Sequence, residues 1–150
     1  MFGLAALALA GCSSTPDAGP VKLDDLNLKP YLSEPCSLLD ADQLSDLGIA
    51  KPGVDHPTTP SVGTCFLTPN ETGRTVTLEV AIDWPKPKAA GQLRIAGYPA
   101  VEIDTGQTCK VQVSVANTQQ LSGLATGPDA CHMAENVATS AIGSIKRQNP

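Results

Sequence analysis

Five cysteines, two histidines and a few paired carboxylates are the side chains of this chain whose types and spacing bear on chemistry. His132 and Glu135 stand three residues apart, the spacing that puts two side chains on one face of a helix. Such a His-x-x-Glu pair can supply two ligands of a metal site, or a base and the acid that orients it. A metal site needs a third ligand, and the sequence identifies none, so neither a metal nor a cofactor is expected. His56 lies in a proline-rich run with no partner at a useful spacing. No Gly-x-Ser-x-Gly stands at a strand-to-helix turn, and no glycine-rich phosphate loop is present. Asp24-Asp25 and Asp40-x-Asp42 are carboxylate pairs, the second better explained by helix capping. No catalytic residue is expected. An enzyme working through His132 and Glu135 stays a remote alternative.

The cysteines are more informative. Leu9-Ala10-Gly11-Cys12 closes a short apolar run, Phe2 to Ala10, far below the roughly 20 residues needed to span a bilayer as a helix. Small residues before a cysteine, an apolar segment upstream and a polar run after it match the bacterial lipobox. There the thiol of Cys12 would take a diacylglyceryl group and Cys12 would become the mature N-terminus. Two or three acyl chains hold a protein on a membrane far more firmly than one. A signal peptide normally opens with Lys or Arg, and residues 1–11 contain neither. The expectation is therefore a start codon upstream of Met1.

Four cysteines remain, Cys36, Cys65, Cys109 and Cys131, with no CxxC pair to suggest zinc. An even number after one special cysteine reads as two disulfides in an oxidising compartment. Three pairings are possible. The sequential one, Cys36–Cys65 and Cys109–Cys131, would staple each helix start to a strand.

Fifteen acids against ten bases give a net charge of −5. That balance offers no electrostatic attraction to phosphate backbones or anionic lipid, so no nucleic-acid partner is expected. Aromatics make up only 3% of the chain. Trp84 and Phe66 are read as core residues, and Tyr98, beside Pro99, as the exposed aromatic. Trp84, Tyr98 and His132 are weak candidates for ligand contact.

The elements that must position these residues are legible from periodicity and punctuation. Asp40 with Gln43 makes a capping-box variant, and Gly48 suits the C′ position of a short helix whose apolar side is Leu38, Leu39, Leu44 and Leu47. Residues 50–63 are rich in Pro and Gly and read as an exposed loop. Residues 63–68 read as a short strand and 70–73 as a turn. Residues 74–84 alternate, with Val76, Leu78, Val80, Ile82 and Trp84 on one side, the pattern of a half-buried antiparallel strand ended by Pro85. Residues 93–95 and 100–103 are shorter strand candidates. Residues 108–116 alternate again, and 120–125 could pair with them. Residues 128–147 are helical, with Pro128 in the first turn and Lys146 and Arg147 complementing the C-terminal dipole. The fold class is α+β: an antiparallel β-sheet packed by an early short helix and a C-terminal helix, stapled by two disulfides.

Glu34-Pro35-Cys36-Ser37-Leu38-Leu39, the strand cysteine Cys65, Gly97-Tyr98-Pro99-Ala100, Cys109-Lys110-Val111-Gln112-Val113 and Asp129-Ala130-Cys131 occur in an order and spacing that resemble the DUF3558 family of actinobacterial lipoproteins. The chain departs from that pattern at Cys65-Phe66-Leu67, where many relatives carry Trp after the Cys. The resemblance implies a secreted, lipid-anchored envelope domain with no established activity, so it supplies no catalytic residue. The expected organisation is a signal peptide over 1–11, a lipidated Cys12 and polar tether over 12–29, and one extracytoplasmic domain over 30–147. The expected location is the outer face of the cytoplasmic membrane, held through the lipid anchor. The expected function is a non-enzymatic binding or accessory domain for an envelope protein or small ligand. The alternative is the extracytoplasmic sensor component of a signalling system.

Overall fold

The computed structural model describes residues 23–86 and 93–149. Seven strands form one sheet: β1 (Ile49–Thr59), β2 (Val62–Pro69), β3 (Val76–Ala81), β4 (Arg94–Ile95), β5 (Tyr98–Asp104), β6 (Thr108–Ala116) and β7 (Gln119–Thr126). Their order across the sheet is β1-β2-β3-β7-β6-β5-β4, and every neighbouring pair is antiparallel. A short helix, α1 (Ala41–Asp46), precedes the sheet and a long one, α2 (Ala130–Gln148), follows it. The fold is thus the α+β arrangement the sequence implies.

Helix α1 exists because of its cap. The Asp40 carboxylate accepts from the Gln43 N–H while the Gln43 side chain accepts from the Asp40 N–H, each at 2.9 Å. These bonds satisfy two otherwise orphaned donors in a helix too short to hold itself. Gly48 leaves it with φ +67°. The leucines expected along this helix do their burying around it. Leu38 lies in a 3-10 turn (Pro35–Leu38), Leu39 precedes the cap and Leu47 follows the helix, and all three are buried.

Helix α2 buries Ala134, Val137, Ala138, Ala141, Ile142 and Ile145 against the sheet. The small side chains let the two backbones approach. A Cβ on Gly123 of β7 would collide with the Ala134 carbonyl oxygen, so glycine is required where the helix crosses. The helix starts at Ala130, so Pro128 precedes it and Asp129 is its N-cap, in the left-handed region (φ 54°) with no side-chain cap bond. Gln43 ties the helices together: its Nε2 donates to the Ser140 carbonyl at 2.8 Å and its Oε1 accepts from the Ser144 hydroxyl at 3.0 Å.

Residues 50–63 are not a loop. They supply most of β1, paired with β2 from Ile49 to Thr59. Pro52 and Pro57 fit because β1 is an edge strand, where a missing N–H costs no ladder bond, and the pairing is irregular near both prolines. Gly53 allows β1 to pass over the first disulfide; a Cβ there would strike the Cys36 and Cys65 sulfurs. The strand expected over 74–84 stops at Ala81, since Asp83 turns into the left-handed region (φ 57°). The folded body also reaches back into the expected tether: Leu26 and Leu28 are buried core residues, and the Leu26 N–H donates to the Val115 carbonyl at 3.0 Å.

Candidate functional site

Adjacent strand residues alternate sides, so the pairing register sorts every sheet residue onto one of two faces. Cys65, Leu78, Gly123 and Val111 are opposite one another in turn. They face α2, as the Gly123–Ala134 approach shows. The disulfides fall on the same face. Cys36 pairs with Cys65 and Cys109 with Cys131, linking the Pro35–Leu38 turn to β2 and the first turn of α2 to β6. The sequential pairing is the one that forms.

The other face carries two cross-sheet rows. Val54, Phe66, Thr77, Leu124, Lys110 and Ile103 are register partners in succession, from β1 to β5. His56, Thr64, Glu79, Ser122, Gln112 and Val101 form the next row. Among the described residues both helices lie on the opposite side. Three of the largest exposed apolar side chains stand in the first row: Val54 (67% exposed), Phe66 (50%) and Ile103 (47%). Thr77, Thr64 and Ser122 between them are buried by their taller neighbours, so the face is a shallow trough with apolar ends. Lys110 Nζ donates to Glu79 Oε1 at 3.0 Å near its middle. His56 meets Phe66 edge to face, with ring centroids 5.9 Å apart.

Three aromatic assignments from sequence are reversed. Phe66 lies on the open face, and Trp84, at 47% exposed, stands outside the core because the strand has ended before it. Tyr98 is the buried one, at 4% exposed. Its hydroxyl donates to the Asp24 carbonyl at 2.7 Å, and Lys146 Nζ sits 4.9 Å from its ring centroid. Burial first, and then the Asp24 and Asp25 carboxylates, raise the pKa of this hydroxyl above the ordinary tyrosine value of 10.0. Tyr98 locks the incoming chain to the body.

His132 is exposed on the first turn of α2, at the rim of a 310 Å³ cavity that also touches Asp104, Gly106 and Asp129. A neighbouring 490 Å³ cavity runs over Gly73, Gln107 and Thr126. Glu135 makes no hydrogen bond to His132 among the described residues; its carbonyl instead accepts from the Thr139 hydroxyl at 2.8 Å. His132, Trp84 and Tyr98 are thus brought to three different places. Asp55 stands beside the first disulfide and Glu102 beside the second. With both sulfurs of each pair oxidised, neither trio offers thiolate ligands to a metal. Cys12 and the segment 1–22 lie outside the described residues.

A family model described as "Protein of unknown function (DUF3558)" matches residues 7–144. The chain belongs to the DUF3558 family. No curated protein and no solved structure matches it. The DUF3558 match covers both disulfides, the whole sheet and all but the last turn of α2. The open-face row was legible only in part. Thr77 and Lys110 fall in recognised alternation and Ile103 in a recognised strand candidate, whereas Val54 lies in the stretch read as loop and Phe66 is read as a core residue.

Proposed function

We propose that this DUF3558 chain is a lipid-anchored binding or accessory domain of an actinobacterial cell envelope, non-enzymatic, held through Cys12 at the outer face of the cytoplasmic membrane. Its recognition surface is the open sheet face. The observation that carries this reading is the Val54–Phe66–Ile103 row. Soluble domains bury such side chains or use them, and a shallow sheet face with apolar anchors at its ends is a surface a partner protein can cover. The Cys12 motif and a net charge of −5, which gives no electrostatic attraction to phosphate backbones, supply the setting.

The test is a photo-reactive residue placed at Phe66 or Ile103 in the cell, with Thr139 on the exposed side of α2 as the control. Defined cross-linked species from the two sheet positions, absent from Thr139, are expected. Equal yield from all three positions, or none from any, would contradict the reading. In parallel, Cys12→Ala should abolish incorporation of a fatty-acid label and release the protein from membranes. A labelled Cys12→Ala protein would remove the anchor from the account.

A further inference from the structure

Among the described residues neither helix covers this face, and only Pro85 meets it, at one end, where its carbonyl accepts from Gln120 Nε2 at 2.6 Å. The face is self-complementary, and we propose that its occupant is a second copy of this chain, packed face to face about a two-fold axis parallel to the strands. The inference rests on reading this face as the recognition surface and names its partner. The face is six strands wide, β1-β2-β3-β7-β6-β5. A half-turn about that axis lays β1 over the partner's β5, β2 over its β6 and β3 over its β7. Sheets packed this way keep their strand directions within about 30° of one another.

The side chains then meet in matched pairs along the first row. Val54 faces Ile103 of the partner subunit, apolar on apolar. Phe66 faces Lys110 of the partner subunit, a cation over an aromatic ring. Thr77 faces Leu124 of the partner subunit. In the second row Thr64 meets Gln112 of the partner subunit, and Glu79 meets Ser122 of the partner subunit. Charge selects this axis over a perpendicular one through the same row. A two-fold at right angles to the strands and passing through the first row would stack each strand on its own copy, bringing Lys110 against Lys110 of the partner subunit and repelling like charges. About the parallel axis each Lys110 keeps its Glu79 ion pair at 3.0 Å and gains a ring.

The size also fits. Six strands about 4.8 Å apart and six to eight residues at about 3.3 Å each make a face of roughly 600–750 Å². A standard stable interface takes about 600–1,000 Å² from each partner, and this face reaches the lower part of that range. The complement is isologous, so association closes at two copies and does not propagate.

Sedimentation equilibrium of the full chain with Cys12→Ala, so that no acyl group drives association, should give a mass near twice 15.5 kDa. Phe66→Lys, which sets a second cation against Lys110 of the partner subunit in place of the ring, should weaken dimerisation at least tenfold. The double variant Val54→Cys/Ile103→Cys gives the geometry directly. Within one chain these positions lie about 24 Å apart, five strand spacings, so oxidation should link two chains and not close within one. A monomer throughout the micromolar range overturns the dimer, as does unchanged association of Phe66→Lys or a dimer that the cysteine pair fails to link. If the chain is monomeric while Phe66 still cross-links to a different protein in the cell, the partner is wrong and the recognition surface stands. If it is monomeric and Phe66 cross-links nothing, both readings fall.

Discussion

The two faces of one sheet have been given opposite tasks by residues that alternate along the same strands. On the inner face Leu78, Val111, Gly123 and Val113 are buried under α2, which is bonded to the sheet through Cys109–Cys131, and Cys65 is buried under the Pro35–Leu38 turn to which it is bonded. On the outer face Phe66, Leu124, Lys110 and Ile103 come from the same β2, β7, β6 and β5 and stand free of both helices. The inner face therefore carries the stability and the outer face is free to vary in shape and charge. A substitution on one should cost folding energy with little effect on binding, and on the other the reverse.

The largest effect belongs to the inner face. Removing a disulfide as Cys109→Ala/Cys131→Ala releases a loop spanning a sequence separation of 22, worth roughly 3.5 kcal/mol in the chain-entropy model. Denaturant titration should show that loss, and Cys36→Ala/Cys65→Ala, with a separation of 29, a similar one. Next comes Gly123→Ala. Its Cβ meets the Ala134 carbonyl, and because backbone must move to admit it, a loss of about 1–3 kcal/mol is expected. An unchanged midpoint would mean that α2 does not cross where it is described.

Tyr98→Phe deletes the bond to the Asp24 carbonyl, and about 1 kcal/mol should be lost. The pH dependence has a definite sign. The folded-state pKa is raised above 10.0, so Tyr98 favours the fold fully below that pH. The benefit fades as pH rises through the folded-state value. The wild type should therefore show an alkaline loss of stability that Tyr98→Phe lacks, read from unfolding midpoints on either side of pH 10.

The smallest stability effects are expected on the outer face. Ile103→Thr should lie within about ±0.5 kcal/mol of wild type, as for a surface site without special contacts. A loss as large as that of Gly123→Ala would show that the two faces are not divided in this way.

Much of this division could be read in the chain before any coordinates. The alternation of residues 108–116 gave β6 and its inner valines, and Asp40 with Gln43 gave α1 down to its cap, because both are local patterns with local causes. The sequential pairing of the cysteines was open among three choices and was decided by topology, which sets the Pro35–Leu38 turn over β2 and α2 over β6. What resisted reading was tertiary. Pro52, Gly53 and Pro57 carry loop chemistry, and only the edge position of β1 and its passage over the Cys36–Cys65 bridge make them strand residues. Phe66 has a core composition but an outward register, which depends on Cys65 facing inward to reach Cys36. Tyr98 follows a turn glycine, yet the chain arriving through Asp24 covers it. His132 and Glu135 had the right spacing for a shared site, but spacing supplies no third group, and the rim of the cavity brings no partner bond to join them.

The claim that the outer face binds while the inner face holds is tested most directly on Phe66→Lys, by measuring its unfolding midpoint and its in-cell cross-linking from Ile103 together. The account predicts a midpoint close to wild type with the cross-linked species lost. A lowered midpoint with cross-linking intact would contradict it, since Phe66 would then serve the fold and not the surface.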